Sequence, residues 1–434
     1  MKRSLLNSLA EWKNSQNRRP LILRGARQVG KTWLLREFGR IYYHQVLYVN
    51  FESSRHLQNL FTDDFDIARI LRILQIETGI NPAEPGTLII LDELQEAEGG
   101  LTSLKYFDEA GKDYHIVAAG SLLGLAMHSG SSFPVGKVEF LDLHPMDFIE
   151  FLEANGEPAL AQLIEIPDWQ VINTFRQKYI QYLRYYYFTG GMPEAVLAFT
   201  ENNDITGVRK IQQRILDAYE QDFSKHAPYE IVPRLRMLWN SIPAQLAREN
   251  RKFMYGLIRT GARAKEYELA LGWLADCGLV HKVTRVSKPA FPLKAYEDFN
   301  SFKLFLLDIG LLGAMGNLDM KIILNGDKLF EEFKGALTEQ FVLQQLVTDN
   351  HLSIHYWSAE RATAEIDFLV QSSSGIIPVE VKAEENLHAR SLRLFHDKYN
   401  PEISVRTSMS AYRQDVWLTN IPLFAIRTLG KLEQ

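Results

Sequence analysis

The chain has 434 residues, of which 46% are hydrophobic and 23% charged, and its net charge is −5. That length exceeds what one hydrophobic core supports, and no apolar run approaches the roughly twenty residues that cross a bilayer. A single cysteine, Cys277, excludes an internal disulfide framework and an all-cysteine zinc site. Its neighbours Trp273, Leu274, Leu279 and Val280 mark it as a buried structural thiol.

Met1 to Trp12 lacks the long apolar core and small-residue cleavage site of a signal peptide, so the cytoplasm is the expected location. Leu5, Leu6, Leu9 and Trp12 instead fall on one face of an amphipathic helix. Leu21-Ile22-Leu23 reads as a short buried strand. It runs directly into Gly25-Ala26-Arg27-Gln28-Val29-Gly30-Lys31-Thr32, and Trp33 to Phe38 continues as a helix. Strand, glycine loop and helix in that order make a complete phosphate-binding loop. The two glycines let successive N–H groups face an anion, and the helix start adds its positive dipole end. In such a loop Lys31 reaches the β- and γ-phosphates of ATP and the Thr32 hydroxyl ligates Mg²⁺, while Arg27 is more naturally a solvated loop residue.

About sixty residues later, Thr87-Leu88-Ile89-Ile90-Leu91-Asp92-Glu93 describes a strand buried on both faces that ends in two carboxylates. Asp92 is the expected partner of Mg²⁺ and Glu93 the expected general base. With Leu21 to Arg24, Val46 to Phe51, His115 to Ala119 and Lys137 to Leu143, it gives five strands of a doubly wound α/β domain. The strand 115–119 runs into Gly120-Ser121. Ser121 fits two readings, a polar sensor of the γ-phosphate or part of a Gly-Ser turn. Glu52, at the end of the second strand, can face the same cleft.

From Pro145 the pattern turns helical. The run Tyr185-Tyr186-Tyr187-Phe188 reads as core, because only Arg184 interleaves a charge. Thr189-Gly190-Gly191-Met192-Pro193-Glu194 must break a helix at Gly190 and restart one at Pro193, and a further helix runs from about Val208 through Tyr219. Residues 231–303 carry thirteen Lys and Arg against six Asp and Glu, a local net of +7. A short helix at 241–247, a basic turn at Arg248, Arg251 and Lys252, a helix at 262–276 and strands at 279–286 and 293–307 make a winged-helix arrangement. Arg259, Arg263 and Lys265 could then approach a DNA backbone; the alternative is a winged helix that only packs against other segments.

The last hundred residues hold a second pattern. Glu365 to Val370 is a strand, 372–375 a turn and Ile377 to Lys382 the return strand, whose alternation puts Glu380 and Lys382 on one face. Asp367 starts this hairpin, and Glu339 lies on a preceding helix with Leu337, Phe341 and Leu346 on its apolar face. Glu339, Asp367 and Glu380 are expected to share one divalent metal, with Lys382 beside it, as in restriction-type nucleases.

These residues carry a resemblance that spans the chain. GARQVGKT (25–32), LIILDELQ (88–95), AAGSLLG (118–124), PVGKVEFLDLHPMDFIEF (134–151), TGGMPEAV (189–196), FKLFLLDIGLLG (302–313) and EIDFLV with PVEVK (365–382) are similar to prokaryotic AAA-type P-loop ATPases. Those proteins carry a C-terminal domain of unknown function with a restriction-endonuclease-like, PD-(D/E)xK, fold. The resemblance implies ATP binding and hydrolysis by the first domain and leaves the physiological role open. Lys137 follows Gly136 where the family pattern leads one to expect Arg, and a lysine cannot make an arginine finger's bidentate contact.

The expected architecture is α/β throughout. A P-loop AAA-type ATPase domain occupies 1–145, a helical lid 146–230, a winged-helix domain 231–320 and a nuclease-like α/β domain 321–434. Two functional classes follow: an ATP-powered enzyme that couples nucleotide state to DNA binding or cleavage, or a nucleotide-controlled switch whose nuclease-like domain only binds. No membrane contact is expected, and the sequence is compatible with a homo-oligomer without reporting one.

Overall fold

The computed structural model describes the chain except residues 112–113, 121–135, 249–251, 326–330, 350, 360–363, 374, 385–388 and 432–434. Its contacts group into two compact units, one of residues 2–144 with 276–278, the other of 145–275 and 279–434 with Met1. Among the described residues no helix is long and apolar enough to cross a membrane.

The first unit is built on five parallel strands: β1 (Leu21–Arg24), β2 (Gln45–Asn50), β3 (Thr87–Asp92), β4 (His115–Ala119) and β5 (Glu139–Asp142), in the order β2-β3-β4-β1-β5. All five expected strands are present. Because β4 lies between β1 and β3, the acid-bearing strand is one strand removed from the phosphate loop. Every residue of β3 is buried, which explains its unbroken apolar run. Helices Lys31–Tyr42, Ile67–Thr78 and Gly100–Ala110 alternate with the strands, as a parallel sheet requires. The Asp66 carboxylate caps Ile67–Thr78 by accepting from the Ala68 and Arg69 N–H groups.

The second unit begins with helices. Arg176–Thr189 stops at Gly190 and Pro193–Asn202 restarts at the proline, as the turn chemistry requires. Tyr186, Tyr187 and Phe188 are core residues. Gly190 has φ 70°, and a Cβ there would lie 2.2 Å from Asp308 Oδ1. Asp308 explains the motif. Its Oδ2 accepts from the Gly191 N–H (2.6 Å) and Gln344 Nε2 (2.9 Å), and its Oδ1 caps the helix Ile309–Met315 through the Leu311 N–H (3.0 Å). On the helix Glu331–Leu346, Gln340, Gln344 and Gln345 accept from the backbone N–H groups of Leu306, Ile309 and Phe148. The TGGMPE and LLDIG motifs are thus two sides of one buried hydrogen-bonded joint.

The remaining strands are β6 (Val280–Val286), β7 (Glu297–Leu306), β8 (Ser353–Ser358), β9 (Glu365–Gln371), β10 (Ile376–Val381), β11 (Val405–Ser408), β12 (Arg413–Gln414) and β13 (Thr419–Pro422). They form one sheet in the order β12-β13-β11-β10-β9-β8-β6-β7. The hairpin β6–β7 expected as a wing is therefore part of the carboxy-terminal sheet, joined through parallel pairing of Arg285 with Tyr356 and Val286 with Trp357. The physical reason is apolar. Val286 and Leu293 share a core with Trp357, Ile366, Leu369 and Phe395, which would otherwise face water. The helices before the hairpin span Val232–Leu246, longer than expected, and Ala264–Asp276.

Asp308→Leu should leave the Gly191 and Leu311 donors buried and unpaired, costing about 2–6 kcal/mol at about 1–3 kcal/mol per orphaned group. Chemical denaturation would show this as a lowered midpoint. Val416→Ser, at a fully exposed position, should shift it by no more than about 0.5 kcal/mol.

Candidate functional site

The loop from Gly25 to Thr32 leaves β1 and enters Lys31–Tyr42 through a series of left-handed residues. Gly25 has φ 143°, Gln28 69° and Gly30 96°. Gly25 is also fixed by space, since a Cβ would stand 2.3 Å from the Leu143 carbonyl oxygen. Val29 is buried and Ala26 nearly so, whereas Arg27 and Gln28 are exposed. Arg3, which sequence reasoning did not single out, is buried and donates to the Val29 carbonyl (2.8 Å) and the His144 carbonyl (2.6 Å), anchoring the loop from behind.

Lys31 folds back over this loop. Its Nζ donates to the Gly25 and Ala26 carbonyls, each at 2.8 Å, and only 7% of the residue is exposed. Burial pulls its pKa down to about 8, although Glu93 and Asp92 favour the charged form. The Thr32 hydroxyl donates to Asp92 Oδ2 at 2.9 Å, so the two residues expected to hold Mg²⁺ already meet. A hydroxyl and a carboxylate side by side are oxygen donors of the kind that a hard divalent cation takes, and the site fits the ion.

Two further residues complete the site. Tyr48, on β2, donates its hydroxyl to the same Asp92 oxygen at 2.8 Å, and Arg36 stacks 4.2 Å above its ring. Burial, followed by the Asp92 hydrogen bond, raises the Tyr48 pKa and keeps the hydroxyl a donor. Glu93 follows β3 in a left-handed conformation, φ 49° and ψ 45°, rare for a residue with a side chain. Gln95 Nε2 donates to its Oε2 at 2.6 Å. Alternation could have placed Tyr48 beside Asn50 at the sheet's carboxyl end; nothing in the spacing marks Gln95. Ser121 lies outside the described residues. Lys137 pairs with Asp108 (3.3 Å) and Glu109 (3.7 Å).

In the second unit two of the carboxylates expected to share a metal, Glu339 and Asp367, lie beside a buried lysine. Lys303, fully buried on β7, places its Nζ 2.6 Å from Glu365, 3.4 Å from Glu339 and 3.8 Å from Asp367. Burial opposes its charge, but the three carboxylates more than offset that and raise its pKa. Asp367 Oδ2 accepts from the Val381 N–H at 2.8 Å. Glu380 pairs with Lys382 at 2.7 Å, as strand alternation requires, and its Oε2 is buried without a hydrogen-bond partner among the described residues. Lys303 Nζ stands between Glu339 and Asp367, while Glu380 faces Lys382. Among the described residues no group of three His, Cys, Asp or Glu side chains is arranged to hold a metal. A buried ammonium needs such negative charges beside it. In the basic segment Arg263 and Lys265 are exposed, while Arg259 pairs with Glu266 at 2.7 Å.

Residues 17–152 match the family model described as an AAA domain; 180–321 and 334–424 match two families described as domains of unknown function, DUF8612 and DUF4143. No curated protein matches the chain at a significant level. Among solved structures, a Walker-type ATPase of Pyrococcus abyssi is 16% identical with a TM-score of 0.45, over 72% of this chain and 94% of that one. The Aeropyrum pernix Orc1 protein, solved in complex with DNA, is 14% identical with a TM-score of 0.28, over 72% and 90%. Cdc6p of Pyrobaculum aerophilum is 15% identical with a TM-score of 0.26, over 74% and 93%. The domain match and the loop geometry together make the amino-terminal segment a P-loop AAA-type ATPase domain.

Because Lys31 titrates near pH 8, the free protein must take up a proton to present an ammonium to a phosphate above that pH. Affinity for ATP should therefore weaken as pH rises beyond about 8, by up to about tenfold per unit. Fluorescence titration with a labelled nucleotide from pH 7 to 10 reads this directly. A flat profile would mean that the ammonium is not the phosphate's partner.

Proposed function

We propose that this chain is a Mg²⁺-dependent ATPase that couples its nucleotide state to DNA contact through the basic segment 231–303 and the nuclease-like carboxy-terminal region. The observation that carries the ATPase reading is the meeting of Thr32 and Asp92, with Glu93 presented next to them. The loop N–H groups and Lys31 would bind the β- and γ-phosphates, the ammonium exchanging two carbonyl oxygens for phosphate oxygens. Thr32 and Asp92 would hold Mg²⁺, which when bound neutralises phosphate charge. Glu93 would accept a proton from the attacking water as the water oxygen bonds to the γ-phosphorus and the bond to the bridging oxygen breaks, giving ADP and phosphate. Ser121, as sensor of the γ-phosphate, remains part of this proposal.

Lys31→Ala should abolish tight nucleotide binding. Glu93→Gln should keep binding and slow turnover by about 10²–10⁴-fold, the usual contribution of a general base. Phosphate-release kinetics with a parallel binding titration check both, and unchanged turnover in Glu93→Gln would remove it as the base.

A second reading of the carboxy-terminal region, a module that binds without cutting, is supported by Lys303. Its ammonium lies within 3.8 Å of Glu339, Glu365 and Asp367, so each of these carboxylates has a cationic partner inside the fold. Incubation with DNA and RNA in Mn²⁺, with and without ATP, should then yield no cleavage. Cleavage that disappears in both Asp367→Ala and Lys382→Ala would establish a nuclease instead.

A further inference from the structure

The turn after β3 holds an arrangement that the assignment of Glu93 as base does not use. Glu93 sits in a left-handed conformation, which costs on the order of 1 kcal/mol for a residue with a Cβ. The turn is pinned by the Glu96 N–H on the Glu93 carbonyl (3.0 Å) and the Ala97 N–H on the Leu94 carbonyl (3.1 Å), with Leu94 and Ala97 in the core. Such backbone strain is retained where the surroundings over-determine it, and here it aims the Glu93 side chain. The aim is completed by Gln95, whose Nε2 donates to Glu93 Oε2 at 2.6 Å. The other end of that amide is unused: Gln95 Oε1 is buried and accepts no hydrogen bond among the described residues. An orphaned buried acceptor costs about 1–3 kcal/mol.

We infer that Gln95 is a positioning residue for hydrolysis, holding the Glu93 carboxylate with its amide N–H and accepting from the attacking water with its amide oxygen. This inference rests on the ATPase reading above. A water molecule has two O–H bonds. One directed to Glu93 and one to Gln95 Oε1 leave a lone pair free to face the γ-phosphorus. The water proton goes to Glu93 as the new P–O bond forms, and the bridging oxygen leaves with ADP. Gln95 exchanges no proton and stays neutral throughout. A purely scaffolding amide would need a partner on both ends, and among the described residues this one has a hydrogen-bond partner only on the base.

The test compares Gln95→Ala and the near-isosteric Gln95→Met with the native chain and with Glu93→Gln. Phosphate release and equilibrium binding of a fluorescent ATP analogue are measured on the full-length protein. Both Gln95 variants should lose about 10–100-fold in kcat, while KM and analogue affinity stay within about twofold, the pattern of a lost transition-state interaction. Glu93→Gln/Gln95→Ala should be no slower than Glu93→Gln alone, because Gln95 acts through the base and its water. A simple structural defect would instead add its loss to that of Glu93→Gln. Three results overturn the inference alone: kcat within about twofold of native in both Gln95 variants, a raised kcat, or multiplying losses in the double variant. If phosphate release does not depend on Lys31 or Glu93, the ATPase reading falls and the inference with it.

Discussion

A lysine ammonium cannot be buried unless something nearby answers its charge, and among the described residues two lysines, Lys31 and Lys303, are buried. The two answers differ in kind. Lys31 is hydrogen-bonded to carbonyl dipoles of its own loop, and burial depresses its pKa to about 8 against the weaker pull of Glu93 and Asp92. Lys303 is balanced by the carboxylates of Glu339, Glu365 and Asp367, an ample compensation that leaves its pKa raised. An under-compensated cation gains by exchanging its partners for an anion, so Lys31 is poised for a phosphate. A fully compensated one has nothing to gain, so Lys303 behaves as a fixed strut between β7, β9 and the helix Glu331–Leu346. The same residue type is reactive in one unit and structural in the other because of what surrounds it.

The same logic applies to two buried carboxylates, Asp92 and Asp308. Asp92 Oδ2 receives both the Thr32 and Tyr48 hydroxyls, so one donor can turn to an incoming cation while the other keeps the carboxylate in place. Asp308 is also buried, but the donors it meets, the Gly191 and Leu311 N–H groups and Gln344 Nε2, belong to the fold itself, and burial raises its pKa despite them. It ties the Thr189–Glu194 turn to the helix Glu331–Leu346, far apart in sequence. The aromatic run 185–188 is held beside it, with the Tyr186 hydroxyl accepting from Gln344 at 3.0 Å.

Much of the first unit was legible because its signals are local. A run such as Leu88-Ile89-Ile90-Leu91 has to be a strand buried on both faces, and the glycines of the phosphate loop have to take positive φ. The five strands were each legible, and the order β2-β3-β4-β1-β5 comes from the structure. What escaped was long-range. Lys303 lies in a segment that reads only as one strand of a hairpin, and its three partners come from residues 339 to 367. Hairpin pairing was visible, but not that β6 would continue into β8, because the apolar faces that join them belong to different parts of the chain. Arg3 and Tyr48 reach their partners across 26 and 44 residues, and no spacing rule connects such positions.

The central claim is that the Lys31 ammonium trades loop carbonyls for nucleotide phosphate. A crystal structure of the full chain with Mg²⁺ and a non-hydrolysable ATP analogue tests it most directly. The expected result places Lys31 Nζ within hydrogen-bonding distance of the β- and γ-phosphate oxygens and away from the Gly25 and Ala26 carbonyls, with Thr32 and Asp92 turned toward the cation. A nucleotide seated there with Lys31 still bonded to both carbonyls, or a nucleotide bound elsewhere with the loop unchanged, would contradict it.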